Sequence, residues 1–199
     1  AYVDHPSFGT AVISRVLEAE GLRVAVLAQP DWHDAEAFRA MGRPRLGVFI
    51  GAGNLDSMVA HYTAAKRRRS EDFYSPGKRT GCRPDRAAIV YCNRAREAFG
   101  PDMPIILGSL EASLRRFAHY DYWDDSVRRA ILFDAPADLL VYGMGEAATI
   151  EIAHRLKKKQ SVRTMTDIPG TGYITRDPSV CKFDHITLPS FEDVRDDKR

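Results

Sequence analysis

Four short apolar runs recur along the chain: residues 24–28 (VAVLA), 46–50 (LGVFI), 104–108 (PIILG) and 138–142 (DLLVY). Each lies between Gly, Pro or Asp residues and is apolar at successive positions, so both of its faces call for cover. That pattern predicts strands of a parallel sheet with helices on either side. Between the runs the spacing turns helical. In FGTAVISRVLEAEG (8–21), Ala11, Val12, Val16 and Ala19 share one stripe, and Gly21 stands where a helix would stop. AEAFRAM (35–41) follows Asp34, a residue suited to an N-cap. DRAAIVYCNRAREAF (85–99) groups Ala88, Tyr91, Ala95 and Ala98, and GEAATIEIAHRLKKK (145–159) ends in a basic turn that suits the negative end of a helix dipole. Strand and helix alternate, which predicts an α/β fold with a doubly wound sheet.

The alternation is broken twice. Residues 66–86, KRRRSEDFYSPGKRTGCRPDR, have no periodicity and hold two prolines and two glycines. A loop of that length inside a compact domain is usually functional or mobile. After Lys159 the pattern ends: IPGTGYITRD (168–177) reads as a turn between short strands, KFDHITLP (182–189) as an extended piece, and SFEDVRDDKR (190–199) as a charged tail that begins a helix. The domain organisation expected is 1–160 for the α/β unit, with its long basic loop 66–86, and 161–199 for an extended connector. AYVD at the start reads as the last residues of a first strand, so a longer parent chain is expected.

Composition narrows the classes. With 199 residues, 44% of them hydrophobic, one domain with a full core is the natural size. A formal charge of +2 is too small to argue for a nucleic-acid or membrane partner, but its distribution is uneven. From Lys66 to Arg96, ten basic residues face three acidic ones, Glu71, Asp72 and Asp85, a local excess of seven positive charges. Three cysteines, Cys82, Cys92 and Cys181, form no CxxC or CxxxCxxC pattern, which points to a reduced, cytoplasmic setting. No apolar run approaches a membrane span.

In an open parallel sheet, ligands gather where the loops leave the carboxyl ends of the strands. Small or polar residues stand there: Asp4 and His5, Gly51 to Asn54 (GAGN), Gly108, Ser109 and Glu111, and Gly143 to Glu146 (GMGE). These glycines either only turn strand into helix or admit a ligand to close approach. Neither GxGxxG nor GxxxxGKS occurs, so nucleotide binding gains little support, and HExxH and GxSxG are also missing. His61 and His154 read as surface or boundary residues on helices. The run His119, Tyr120, Asp121, Tyr122, Trp123, Asp124, Asp125 is either a packed patch or an interface, with Arg115 and Arg116 before it and Arg128 and Arg129 after it.

The segments DHPSFGTAVISRVLEAEGLRVAVLAQPDW, GAGNLDSMVAHYTAAKRRRSEDFYSPG, GCRPDRAAIVYCNRAREAF, GSLEASLRRFAHYDYWDDSVRRAIL and DLLVYGMGEAATIEIA closely resemble the amino-terminal region of the YgiQ-type radical S-adenosylmethionine (radical SAM) proteins, over essentially residues 1–199. The resemblance implies a flavodoxin-like, cobalamin-binding-like sheet placed before a barrel domain of the same chain, here lacking most of its first strand. It also implies a parent enzyme that holds a four-iron four-sulfur cluster through CxxxCxxC and cleaves S-adenosylmethionine reductively. Residues 1–199 contain no such motif, so the cluster ligands are expected beyond Arg199 and the segment alone is expected to be inactive. The base-off cobalamin pattern DxHxxG is replaced by DHPSFG, in which His5 directly follows Asp4, so cobalamin is not expected either. A fused barrel implies an interface or substrate cleft at the carboxyl ends of the strands, and the candidates are Asp4, His5, Asn54, Glu111, Arg115, His119, Tyr122, Trp123 and Glu146. The alternative from the residues themselves is a module that binds RNA or another polyanion through segment 66–96, with Lys66, Arg67, Arg68, Arg69, Lys78 and Arg79 as contacts.

Overall fold

The computed structural model describes residues 8–197 except residue 54. In chain order these form α1 (Phe8–Ala19), β1 (Val48–Ile50), α2 (Ser57–His61), α3 (Ala87–Phe99), β2 (Ile105–Leu107), α4 (Ser109–Leu114), β3 (His119–Asp121), β4 (Ser126–Arg128), β5 (Leu139–Val141), α5 (Glu146–Lys157), β6 (Thr171–Gly172) and α6 (Phe191–Asp196). The main sheet has the order β1-β2-β5-β6; β1, β2 and β5 are parallel, and β6 closes the edge antiparallel to β5. β3 and β4 make a separate antiparallel hairpin. The class is therefore α/β with a mostly parallel, open sheet, compatible with the flavodoxin-like expectation.

Successive residues of a strand point to opposite faces, and the core divides accordingly. Ile105 and Leu107 of β2 and Leu140 of β5 join Ala88, Tyr91, Cys92, Ala95 and Phe99 of α3. The intervening Ile106, Leu139 and Val141 join Ala148, Ile152 and Leu156 of α5. This explains why the runs at 104–108 and 138–142 are apolar without alternation. Each such side chain contributes roughly 1.5–3 kcal/mol when removed from water.

Three expectations change. Residues 24–28 are not a strand: among the described residues nothing pairs with them, and Val26 is exposed. An apolar run becomes a strand only when a neighbour supplies its hydrogen-bond ladder; AYVD, read as the end of a first strand, lies outside the described residues. On α1 the buried position is Leu17, whereas Val12, assigned to the inner stripe, is exposed; the larger side chain takes the interior as α1 packs on α5. AEAFRAM forms only a single 3-10 turn, Ala37–Arg39, because the run is cut off by Gly42 at φ +77° before a second turn can form. In the segment read as a connector, Val162, Met165 and Ile168 pack with the α5 side of the core, and β6 follows them into the sheet. The tail does begin a helix, α6, with a capping box between Ser190 and Asp193.

The 66–86 segment holds no α-helix, only a single 3-10 turn at Pro76–Lys78, yet it is tied down. Arg83 and Asp72 are both buried; Arg83 donates from Nη2 to Asp72 Oδ1 at 2.8 Å and from Nε to Oδ2 at 3.1 Å. Ser75 Oγ adds a hydrogen bond to Asp72 at 2.6 Å, and the Tyr74 backbone N–H another at 3.0 Å. Burial by itself would raise the Asp72 pKa, but these four donors outweigh it and hold the carboxyl below its ordinary range.

Candidate functional site

β1, β2 and β5 all end at one edge of the sheet, and the loops leaving them carry the polar residues singled out above. The first two loops touch: the Ala52 N–H donates to Ser109 Oγ at 3.2 Å, and a Cβ on Gly51 would meet that serine at 3.0 Å, so glycine is what lets the loops approach. Beneath them lies Glu111, fully buried on α4. One of its oxygens accepts the Ser57 N–H of α2 at 2.8 Å, and the other accepts the Ala88 N–H of α3 at 2.9 Å. Ser57 Oγ accepts the Ala87 N–H at 3.0 Å. The start of α3 has no local cap, since Arg86 is left-handed at φ +50° and makes no side-chain capping bond. A single carboxylate therefore serves the positive ends of two helices.

Asp56 caps α2 through the Met58 and Val59 N–H groups and also holds the guanidinium of Arg115. Beside it runs a chain of charges. Arg86 Nη2 reaches Asp121 at 2.9 Å and Asp124 at 2.7 Å, while Arg128 reaches Asp124 at 2.9 Å and Asp134 at 2.8 Å. Asp121 is buried, and its other oxygen accepts the Trp123 N–H at 2.9 Å, which shapes the hairpin turn. Burial would raise the Asp121 pKa; the hydrogen bond and charge of Arg86, with the backbone donors, hold it below the ordinary carboxylate range. Arg86, Arg115, His119, Asp121, Arg128 and Asp134 line a narrow crevice. His119 Nδ1 lies 3.0 Å from the Phe117 carbonyl, and its buried Nε2 has no protein partner, as is also true of Arg86 Nε in the same crevice.

On the outside of the hairpin the rings meet the basic loop. Tyr122 and Trp123 stand edge to face at 5.3 Å between ring centres, and Tyr62 lies 5.6 Å from Trp123. Lys66 Nζ sits 4.8 Å over the Tyr122 ring and donates to the Trp123 carbonyl at 3.3 Å, while the Tyr122 hydroxyl donates to the Ala64 carbonyl. Two segments read separately in sequence thus form one surface. A second exposed patch is apolar: Leu110, Leu114 and Phe117 recur at helical spacing along and just after α4. Arg116 lies over the rings of both Phe117 and Tyr142, which joins this stripe to the β5–α5 loop and its exposed Met144.

Of the sequence candidates, Arg115 and His119 share the crevice, Tyr122 and Trp123 lie on its outer side, Glu111 is spent on helix ends beneath it, and Glu146 opens α5 at the end of β5. Asp4, His5 and Asn54 lie outside the described residues. His61, expected at a surface or boundary, is buried: its Nδ1 is 2.7 Å from Asp85, whose second oxygen accepts the Tyr62 hydroxyl at 2.6 Å. His154 does sit at the boundary, 2.7 Å from Glu20. Sequence reasoning missed Asp56, Ser57 and Arg86 as site residues and placed Asp121 only in the run read as a packed patch or an interface. The only local signal was an Asp-Ser pair ahead of Met58 and Val59, a cap pattern on a helix too short to show periodicity.

The described residues hold no group of three His, Cys, Asp or Glu side chains that could bind a metal ion. Cys92 is buried in α3, where burial pushes its thiol up to about 12, the opposite of what a thiolate ligand needs. Cys92 thus does not fit an iron–sulfur cluster. No helix among the described residues is long and apolar enough to cross a membrane.

The family described as Radical SAM N-terminal matches residues 1–199. The chain belongs to that family. It is 56% identical over its whole length to a UPF0313 protein of Clostridium botulinum strain 657, 57% identical to one of Methanocella arvoryzae, and 54% identical to one of Clostridium perfringens strain SM101. It covers all 199 residues in each comparison but only 31%, 33% and 30% of those proteins. The Radical SAM N-terminal segment thus spans about a third of the curated relatives it matches. No solved structure matches it.

Proposed function

We propose that this Radical SAM N-terminal domain is the accessory half of an iron–sulfur enzyme, and that it frames the substrate side of an active site carried by a radical SAM barrel in the same parent chain. The observation that carries the reading is the family match along all 199 residues in a chain that spans only about a third of its relatives. The four-iron four-sulfur cluster and S-adenosylmethionine belong to the rest of that parent, whose cysteines supply the cluster ligands. The α/β body runs on through β6, which pairs with β5, and the segment beyond β6 leads toward the barrel.

The docking face in this reading is the rim at the carboxyl ends of the strands, with Leu110, Leu114, Phe117 and Met144 as its apolar contacts. Four large exposed apolar side chains on one edge are costly to leave in water, and the chain outside residues 1–199 is the occupant to which they are offered. Glu111, Arg115 and His119 hold that rim in shape, and Tyr122, Trp123 and Glu146 flank it. The test uses the intact protein, reconstituted with iron and sulfide and then reduced. Leu114→Asp with Phe117→Asp should open the junction to limited proteolysis and lower formation of 5′-deoxyadenosine, whereas Val12→Asp, exposed on α1, should change neither. Wild-type protease resistance and turnover in the double variant would refute the docking face.

A further inference from the structure

Of the ten basic side chains in residues 66–96, four are spent internally: Arg83 on Asp72, Arg86 on Asp121 and Asp124, Arg94 on Glu97, and Arg96 on Asp138. The other six, Lys66, Arg67, Arg68, Arg69, Lys78 and Arg79, are exposed and have no carboxylate within 4.0 Å among the described residues. They are held together by backbone. Tyr62 and Arg68 pair as an antiparallel bridge, closing a tight turn with Ala64 and Ala65 at its tip and Lys66 and Arg67 on the returning arm. Arg68 Nη2 lies against Gly81, so the turn leans on the loop that carries Lys78 and Arg79. Arg69 Nε donates to the Val59 and Tyr62 carbonyls and anchors the turn to α2.

Six exposed cations gathered on one surface with no carboxylate in salt-bridge reach favour an anionic partner. The adjoining rings say which. Tyr122 and Trp123 are partly exposed beside Lys66, and Tyr62 backs Trp123. A free phosphate makes no use of such rings, and a duplex hides the faces of its bases. A single strand offers both phosphates to the cations and unstacked bases to the rings. We propose that this surface binds single-stranded nucleic acid, with bases on Trp123 and Tyr122 and phosphates on Lys66, Arg67, Arg68, Lys78 and Arg79. The site adjoins the docking rim, which Tyr122 and Trp123 flank, but uses none of the rim's apolar contacts Leu110, Leu114, Phe117 and Met144.

The experiment is fluorescence anisotropy on the intact protein with labelled oligouridylate and oligothymidylate of about twelve nucleotides, a span one such surface can engage. Binding is expected at low salt, with a slope of log K against log salt near −3.5 for five phosphates. Arg67→Ala with Arg79→Ala should reduce that slope by about 1.4. Trp123→Ala should weaken binding by on the order of tenfold, while Trp123→Phe, which keeps a ring, should retain most of it and so exclude a folding defect. Arg15→Ala, exposed on α1, should have no effect. The proposal fails if neither oligonucleotide binds, if a duplex binds as tightly as a single strand, or if the Arg67/Arg79 and Trp123→Ala variants bind like wild type.

Discussion

Glu111 illustrates how a polar residue at the end of a parallel strand can be placed correctly by sequence and still have an unexpected duty. Its position after GS at the close of an apolar run marked it as a candidate for the cleft. What it does could not be read locally, because its two hydrogen-bond donors, Ser57 and Ala88, are 54 and 23 residues away. Substituting Gln would turn an NH2 group toward one of two N–H donors and remove the charge that both helix ends favour. Charge-assisted bonds of this kind contribute about 1.5–3 kcal/mol each, so Glu111→Gln should cost about 2 kcal/mol and lower the thermal midpoint of this domain by roughly 4–8 °C. Differential scanning calorimetry checks it; an unchanged midpoint would mean the carboxylate is not the shared cap.

Among elements, the long helices α3 and α5 were legible because they are long enough to repeat their apolar stripe, whereas α2 and α4, with five and six residues, were not. The hairpin was hidden by its own composition: rings and carboxylates mask the alternation, and Asp121, the inward residue, is charged. The 66–86 segment was recognised as irregular and basic, but its buried clasp pairs residues eleven apart and leaves no periodic trace. That clasp predicts two outcomes. Arg83→Ala leaves Asp72 buried and unpaired and should cost about 3–5 kcal/mol, read as earlier unfolding and new tryptic cleavage between residues 66 and 86. The second outcome concerns pH. The Asp72 carboxyl lies lower in the folded state than in the unfolded chain, so its stabilisation is full above the ordinary aspartate value near 3.9 and is lost as pH falls through the lower folded value. Asp121 and Asp85 are shifted in the same direction and add to the effect. Stability should hold flat from pH 7 to about 5 and fall below about 4, and Asp72→Asn should be weaker at neutral pH with a shallower acid dependence.

At the scale of the whole molecule, the sheet was the most legible feature, since β2 and β5 announce burial on both faces by being apolar at every position. The run 24–28 carried the same signal and did not become a strand, which shows that a pattern of this kind states a need for cover without naming the partner that provides it. The rim at the carboxyl ends poses the same question on a larger scale. Met144 is 91% exposed in residues 1–199, more so than Met41 at 63%, and both thioethers are open to oxidation here. If the rest of the parent chain covers the rim, that order reverses in the intact protein: brief peroxide treatment followed by peptide mass spectrometry should convert Met41 to its sulfoxide readily and Met144 several-fold more slowly. Leu114→Asp with Phe117→Asp, by loosening the covered face, should restore fast oxidation at Met144 and leave Met41 as it was. Equal rates at both methionines in the wild-type protein would mean that the apolar edge faces water even when the whole chain is present.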